Sequence, residues 1–303
     1  MDAVRALTQL GGIARIGELR AMTTRSEFNR SLVDGRVVRL PRGQVSLPGV
    51  DQAPGVAAVV GGTVSHLSAA QHWGWKLKFP PDQPFVTVPR GRRVGQGATP
   101  LMLPAHRLVY ADLPAADVSA GVTSPVRTVV DCARSLEFDV ALAVADSALR
   151  SGLVTAAELC AAAAASPRTG RSRALRVANE ASGLADNPFE SVLRAIALDV
   201  PGLHVRPQGW IGRVGRVDLV DARLLIAIEA ESLEHHASPE GFRSDVRRYT
   251  DFACLGWVVV RFLWEQAMHQ QALVHAALAD VAAVRSRQLG VTYHGSSRGD
   301  VRV

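Results

Sequence analysis

The sequence has few cysteines and lacks any long uninterrupted hydrophobic run. None of its apolar stretches approaches the roughly eighteen residues that a membrane-spanning helix needs. The first residues, Met-Asp-Ala-Val-Arg, also lack the apolar core of a signal peptide. The three cysteines are scattered in apolar helical settings, which favours small buried side chains over a disulfide or a zinc site. We therefore expect a cytoplasmic protein with no membrane partner.

Aromatic residues are also scarce, at 5% of the chain, whereas hydrophobic residues reach 48% and charged residues 20%. This balance is typical of a globular protein. A chain of 303 residues is too long for one typical core, so it suggests two or three domains. The net charge is +6 and the basic residues are mostly arginine, which permits nucleic-acid binding without requiring it.

The positive charge is concentrated in the first fifty residues, which hold eight arginines and four acidic residues. The pattern predicts three short helices followed by a strand pair around Pro41–Gly43. A capping box at Thr24–Glu27 opens the third helix, and Asp34–Gly35 closes it. Three helices and a β-hairpin predict a winged helix-turn-helix over residues 1–50.

In a winged helix-turn-helix the third helix enters the major groove of DNA and the wing touches phosphates. Phe28 and Leu32 are expected to face the core. The predicted DNA-binding residues on the third helix and around the wing are Arg25, Ser26, Asn29, Arg30, Arg36, Arg39 and Arg42. The alternative is a solvated basic face on a module that docks protein.

Residues 51–180 are rich in alanine and valine and predict an α+β middle domain. The wing sequence Arg42-Gly-Gln-Val-Ser-Leu-Pro-Gly49 and the run Thr123-Ser-Pro-Val-Arg127-Thr-Val-Val-Asp131 resemble AbiEi-type antitoxins. This resemblance implies a DNA-binding regulator with a cognate toxin as its partner. Arg127, Asp131 and Asp146 suggest either a site or, more readily, a structural ion-pair network. His66 is more typical of a core or capping histidine than of a ligand.

The most informative stretch lies further on, where two apolar runs, Val217–Val220 and Leu224–Ile228, flank a short turn and predict a hairpin. Asp218 lies in the first strand, while Glu229 and Glu231 end the second strand on one face. Three carboxylates gathered at one strand pair repel each other. A divalent cation would offset that repulsion.

A series of motifs in residues 186–266 resembles the Vsr-like branch of the PD-(D/E)XK nuclease superfamily. In chain order the matching segments are Asn187-Pro-Phe-Glu190-Ser, Arg216-Val-Asp218, Ile228-Glu-Ala-Glu231, His235-His236, Phe242-x-x-Asp245-x-x-Arg248, Gly256-Trp257 and Arg261-Phe262. The resemblance implies a restriction-endonuclease-like α/β/α domain over residues 181–285 that cleaves DNA with Mg²⁺ or Mn²⁺. One position departs from the superfamily pattern, because Glu231 stands where lysine is usual.

The resemblance implies metal ligands at Asp218, Glu229 and the backbone carbonyl of Ala230. Glu190, on the preceding helix, would reach the same cation directly or through water. Glu231 would orient the water, hold a second metal or mark a loss of activity.

Other candidates surround this predicted metal site. His236 would act as a general acid or base, or only cap the next helix. Arg248 and Arg261 would clamp a phosphate or form internal bridges, and Gln208, just before the hairpin, is a further candidate contact. Apolar spacing on the helix opened by Pro239 predicts that its core face is formed by Phe242, Val246, Tyr249 and Ala253.

The sequence thus predicts an α/β multidomain protein with domains at 1–50, 51–180 and 181–285 and a flexible tail at 286–303. The function expected first is a Mg²⁺-dependent DNA endonuclease with an N-terminal DNA-binding module. Its expected partners are DNA and either a cognate toxin or a repair protein. The alternative is an antitoxin-type regulator with a degenerate nuclease-like domain. A protein-interaction adaptor is the third candidate, and the oligomeric state stays open.

Overall fold

The computed structural model describes residues 1–10, 13–40, 43–47, 52–94, 105–231 and 239–291. The chain is mixed α/β, as predicted, and its described residues form three sheets of three, five and four strands. It divides into two compact units, the first formed by Met1–Gly74 with Phe79–Asp131 and the second by Trp75–Lys78 with the chain from Cys132 onward. In the part of the chain that the structure describes, no helix is both long and apolar enough to cross a membrane.

The N-terminal part of the first unit surrounds a small core of its own, centred on the fully buried Phe28. Its elements are α1 (Ala3–Gln9), β1 (Ile13–Arg15), α2 (Ile16–Met22), α3 (Arg25–Val33), β2 (Val38–Leu40) and β3 (Gln44–Ser46). The three strands pair antiparallel in the order β1-β3-β2. The three predicted helices and the hairpin are present, but strand β1, which follows the Gly-Gly pair, was not predicted.

Helix α3 begins where the sequence predicts, because the Thr24 hydroxyl accepts the Glu27 N–H at 3.3 Å. Phe28 is buried and Leu32 packs against the same core, as predicted. The other predictions for this helix concern exposure, and they are confirmed for four residues: Arg25, Ser26, Asn29 and Arg30 are all exposed.

Arg36 does not have the free position that its predicted phosphate contact requires. Its guanidinium pairs with Asp2 at 2.9 Å, Glu27 at 3.2 Å and Asp34 at 3.3 Å, because the turn after α3 brings it beside these carboxylates. The hydrogen bond to Asp2 contributes most to raising the pKa of Arg36. Arg39 is exposed on β2, and Arg42 lies outside the described residues.

The rest of the first unit is built on the five-stranded sheet. Its elements are α4 (Ala53–Val60), β4 (Thr63–Val64), α5 (His66–His72), β5 (Phe85–Val88), β6 (Arg107–Tyr110), β7 (Val118–Ser119) and β8 (Val122–Thr123), followed by the start of α6 (Pro125–Ser135). The strand order in this sheet is β6-β5-β4-β8-β7. His66 is 3% exposed and its Nδ1 lies 2.9 Å from the Ser65 hydroxyl, so the core interpretation is confirmed.

The predicted ion-pair network on α6 is present, but with different members. Arg127 pairs with Asp131 at 2.9 Å and with Asp117 at 3.0 Å. Asp146 belongs to another network, where it receives two bonds of 2.7 Å from Arg194. Sequence spacing does not show which helices face each other, so Asp146 was grouped wrongly.

The second unit contains a bundle of helices and the four-stranded sheet. Its elements are α7 (Phe138–Ser151), α8 (Ala156–Ala165), α9 (Arg171–Glu180), α10 (Pro188–Leu198), β9 (Arg206–Ile211), β10 (Gly215–Asp221), β11 (Ile226–Glu231), α11 (Pro239–Cys254), β12 (Val258–Leu263), α12 (Trp264–His269) and α13 (Gln271–Leu289). Helix α7 packs on α10 through the buried Asp146–Arg194 pair. The domain boundary predicted at 180 therefore separates helices that this unit packs together.

The predicted tail begins too early. Helix α13 continues to Leu289, and Ser286 is 2% exposed. Gly290, at φ 66°, ends the helix in a left-handed conformation that lets the Val291 N–H reach the Ser286 carbonyl at 3.0 Å. Residues 292–303 lie outside the described part of the chain.

The four-stranded sheet has the order β12-β11-β10-β9, in which β9, β10 and β11 run antiparallel and β12 runs parallel to β11. The predicted hairpin is present as β10 and β11, with Leu219 opposite Ile228. One face carries Ile228 against the core formed with α10, α12 and α13. The other face carries Val217 against Phe252 of α11. Helices therefore cover both faces of this sheet.

Candidate active site

Asp218 and Glu229 are neighbours at the end of the β10–β11 ladder, immediately beyond the pair Leu219–Ile228. The Ala230 N–H donates to Asp218 Oδ2 at 2.8 Å, so this carboxylate joins the two strands directly. Burial raises the pKa of Asp218, whereas this hydrogen bond and the nearby Arg248 lower it. No described contact tests the Ala230 carbonyl as a ligand, and that role stays a prediction.

Glu190 reaches the same place from the first turn of α10. Asn187 caps the helix by accepting the Glu190 N–H at 3.1 Å. The Glu190 carboxylate is 5% exposed and accepts from Asp186 N at 2.9 Å, Asn187 Nδ2 at 2.8 Å and Gln208 Nε2 at 2.7 Å. Burial raises the pKa of Glu190 to about 7, and the charge of Asp218 adds to the rise. Its proton therefore exchanges near neutral pH.

Glu229 is the third acid of the group, and it is 6% exposed. Its Oε1 accepts from Arg248 Nη2 at 2.5 Å and its Oε2 accepts from the Tyr249 hydroxyl at 2.9 Å. Burial raises the pKa of Glu229, and the charge of Asp218 adds to the rise. Since Asp218 raises the pKa of both glutamates, the three carboxylates are close enough to interact electrostatically.

The remaining predicted residues lie around this acidic group. Glu231 pairs with Arg261, whose guanidinium also stands 4.6 Å from the centre of the Tyr249 ring. Arg248 also donates to the Arg216 carbonyl at 2.6 Å. Both predicted phosphate-binding arginines are thus engaged in ion pairs with glutamates of β11. His235 and His236 lie outside the described residues.

Gln208 contacts the group, as its position before the hairpin suggested. Its Nε2 bonds to Glu190, while its Oε1 is buried without a hydrogen-bond partner in the structure. Its backbone is left-handed, at φ 54°, which is uncommon for a residue other than glycine. Strained backbone and unpaired buried polar atoms both occur preferentially at functional sites.

These donors fit Mg²⁺ or Mn²⁺ in their chemistry, because they are carboxylate and amide oxygens. The unpaired Gln208 Oε1 supplies a further oxygen beside Glu190. Among the described residues, however, the structure assembles no group of three or more His, Cys, Asp and Glu side chains that could hold a metal ion. Both oxygens of Glu229 are occupied by Arg248 and Tyr249, so cation binding requires Glu229 to release Arg248.

Tyr249 is the residue of this site that the sequence analysis missed. Apolar spacing predicted only a core role for it, although a buried phenol needs a hydrogen-bond partner. In the structure the Tyr249 ring packs in the core and its hydroxyl donates a hydrogen bond to Glu229. Burial and the charge of Glu229 raise the pKa of Tyr249 far above its ordinary value.

Comparison with known proteins finds relatives without a described activity. Two curated proteins of Mycobacterium tuberculosis, the uncharacterised proteins MT2308 and Rv2248, are each 32% identical to this chain over 162 residues. The match covers 52% of this chain and 60% of each relative, so it spans less than two thirds of their length. No family model matches the sequence. The crystal structure of the Rv2827c protein of the same organism is 16% identical, with a TM-score of 0.37 over 62% of this chain and 78% of that one.

Proposed function

We propose that this protein is a Mg²⁺-dependent DNA endonuclease. The observation that carries the proposal is the electrostatic interaction of Asp218 on β10 with Glu190 on α10 and with Glu229 on β11, since the charge of Asp218 raises the pKa of both glutamates. Their pKa values are all raised, which is typical of catalytic carboxylates. The element order helix, three strands, helix, strand supports the restriction-endonuclease-like domain that the resemblance implies.

Each residue then has a distinct part in phosphodiester hydrolysis. Asp218 and Glu229 would hold the cation, and Gln208 Oε1, which lies on the side chain that bonds to Glu190, would supply a further oxygen. A bound Mg²⁺ supplies a Lewis acid and lowers the pKa of its water. Glu190, whose pKa is about 7, accepts the proton of the attacking water at neutral pH. Arg248, once released from Glu229, neutralises charge on the phosphate.

The N-terminal module supports the choice of DNA as substrate. Its three helices and three-stranded sheet provide the elements of a winged helix-turn-helix. Arg25, Asn29 and Arg30 extend from one exposed side of α3, where they would reach base edges and phosphates. The cation–ligand set and the duplex-binding helix are then two parts of one enzyme.

The test is cleavage of plasmid DNA by the full chain with Mg²⁺, Mn²⁺ or EDTA. We expect metal-dependent nicking that Asp218→Asn reduces at least a hundredfold, because the variant keeps the size of the side chain and removes its charge. Asp221→Asn is unsuitable as a control because Asp221 is buried and caps its own turn. Asp199→Asn, at an exposed position on the same unit, should leave cleavage unchanged. Absence of cleavage with either metal contradicts the proposal.

A second function is supported by the ion pairs of β11. Glu229 with Arg248 and Glu231 with Arg261 neutralise two of the acids without a metal, and no lysine stands at the position of Glu231. These pairs favour an antitoxin-type regulator whose nuclease-like domain is a scaffold. That function predicts salt-dependent binding to the promoter of its own gene that Asp218→Asn does not change.

A further inference from the structure

Trp210 is the most exposed tryptophan or phenylalanine among the large hydrophobic residues of the described chain, at 73%. It lies on β9, the edge strand of the four-stranded sheet. An exposed indole costs free energy in water and offers a flat apolar face of large area. Its position on a strand, rather than in a loop, holds that face in a defined direction.

Arginine side chains lie near Trp210 on both strands of the β9–β10 pair and in the turn between them. The partner of Trp210 across the β9–β10 ladder is Arg216, whose side chain is 50% exposed. Directly opposed residues of a strand pair have their Cβ atoms about 5 Å apart, so this guanidinium and the indole lie on one face. Arg206 on β9 and Arg213 in the turn between the strands are also exposed.

The Trp210–Arg216 pair lies on the side of the sheet that carries Glu190. Its neighbours Gly209 and Ile211 face the opposite side, since Ile211 packs in the core with Phe252 and a Cβ on Gly209 would meet Val220 at 2.1 Å. Arg216 reaches Asp186, two residues before helix α10, at 3.2 Å. The pair therefore borders the acidic group.

The edge of β9 is poorly suited to pairing with a strand of another chain. Pro207 has no N–H to donate, and the left-handed backbone of Gln208 interrupts the extended strand. Proline and local kinks are devices that block strand addition at sheet edges. A second copy of this chain added along β9 is therefore disfavoured as the occupant of this surface.

We propose that Trp210 and Arg216 form a stacking surface for an unpaired nucleobase of single-stranded DNA that enters the acidic site. Aromatic faces flanked by cations are what single strands bind, because every base has a π-face and every nucleotide a phosphate. A base inside a duplex is already stacked and does not present its face. The choice of DNA as the ligand rests on the proposed function. The inference adds that the DNA strand is locally unpaired at the site.

Binding of fluorescein-labelled twelve-nucleotide strands to the full chain, measured by anisotropy in EDTA, tests this surface. We expect Trp210→Ala to weaken single-strand binding about tenfold, the loss of one stacked base, and Trp210→Phe to recover most of it. Binding of a twelve-base-pair duplex should not change. Trp264→Ala removes another exposed tryptophan, at 41%, and serves as the matched control.

Four results would overturn the inference. Two concern the variants: Trp210→Ala binds the single strand as tightly as the wild type, or Trp264→Ala loses as much affinity as Trp210→Ala. The other two concern the occupant: an RNA strand of the same sequence binds more tightly than the DNA strand, or the wild type sediments as a dimer that Trp210→Ala dissociates. Cleavage separates this inference from the proposed function. If single-strand binding depends on Trp210 but no metal-dependent cleavage occurs, the proposed nuclease function is wrong and the stacking surface is supported. If metal-dependent cleavage occurs but binding does not depend on Trp210, the nuclease function is supported and the stacking surface is wrong.

Discussion

Gln208 and Glu190 are joined from the edge strand to the first turn of α10, where the amide Nε2 donates to the carboxylate Oε2 at 2.7 Å. This bond orients the amide so that its oxygen, Oε1, is buried and has no hydrogen-bond partner in the structure. The strand departs from extended geometry at this residue, at φ 54°. Strain and an unpaired acceptor therefore coincide at one side chain beside a carboxylate with a raised pKa.

The amide of Gln208 is predicted to contribute to cation binding. Gln208→Gly keeps a residue that tolerates positive φ and removes the whole side chain, including the amide. We expect it to weaken Mn²⁺ binding about tenfold or more by titration calorimetry, the usual effect of losing a residue that orients metal ligands. Gln288→Gly, at the exposed end of α13, is the control. Equal Mn²⁺ affinity in Gln208→Gly and the wild type would show that the amide is only structural.

Glu190 is predicted to make stability fall as the pH rises from about 4.5 to about 7. Its pKa is raised from 4.5 to about 7 in the folded protein, so the native state binds the proton more tightly than the unfolded chain does. The resulting contribution to the free energy of unfolding is fully present below pH 4.5, the pKa in the unfolded chain. It is lost as the pH rises through the pKa of the folded protein, and it amounts to about 3 kcal/mol at most. Urea unfolding in EDTA at pH 5.5 and pH 8 measures it.

Glu190→Gln provides the comparison for that pH effect, because the amide does not titrate. The difference in unfolding free energy between wild type and variant should favour the variant at pH 8 and shrink or reverse at pH 5.5. Adding Mg²⁺ at pH 8 should raise the midpoint of the wild type. A difference that is the same at both pH values would mean that Glu190 titrates normally.

The Asp146–Arg194 pair is predicted to be important for the stability of the second unit. Both side chains are buried, at 1% and 3% exposed, and Arg194 lies one turn after Glu190 on α10. Asp146→Ala leaves a buried guanidinium without its partner and should cost about 3–5 kcal/mol in urea unfolding. The exposed Arg176–Asp199 pair is the matched control, and Asp199→Ala should cost less than about 1 kcal/mol. Similar losses for the two variants would contradict the prediction.

The exposed arginines of α3 are predicted to contact DNA phosphates or bases. Arg25→Ala combined with Arg30→Ala should weaken duplex binding and reduce the slope of log affinity against log salt by about two. Arg36→Ala is the control that distinguishes a loss of DNA binding from a loss of stability. Since Arg36 pairs with Asp2, Glu27 and Asp34, its loss should lower the melting temperature and leave the salt slope unchanged. An unchanged slope in the double variant would exclude phosphate contact by α3.

Local patterns were sufficient to predict the starts of two helices and the hairpin that carries two of the acids. The capping residues Thr24 and Asn187 mark the starts of α3 and α10, since a side-chain acceptor at a helix N-terminus is a local requirement. The alternation of β10 and β11 placed Asp218 and Glu229 on adjacent strands. The core face of α11 was predicted only in part, because Tyr249 packs in the core as predicted, whereas Val246 is 50% exposed and the fully buried Phe252 was not predicted. Several faces of that helix carry apolar residues, and only the neighbouring sheet selects one.

The sequence by itself determined the starts of α3 and α10 and the hairpin that places Asp218 and Glu229 on adjacent strands, because these features follow from capping and periodicity within a few residues. Only the tertiary structure decided which groups the acids of the site contact. Arg248 and Tyr249 reach Glu229 from α11, and Gln208 reaches Glu190 from β9. Partners so far apart in the chain are selected by packing, since hydrogen bonds between buried groups form wherever the folded backbone brings donor and acceptor together.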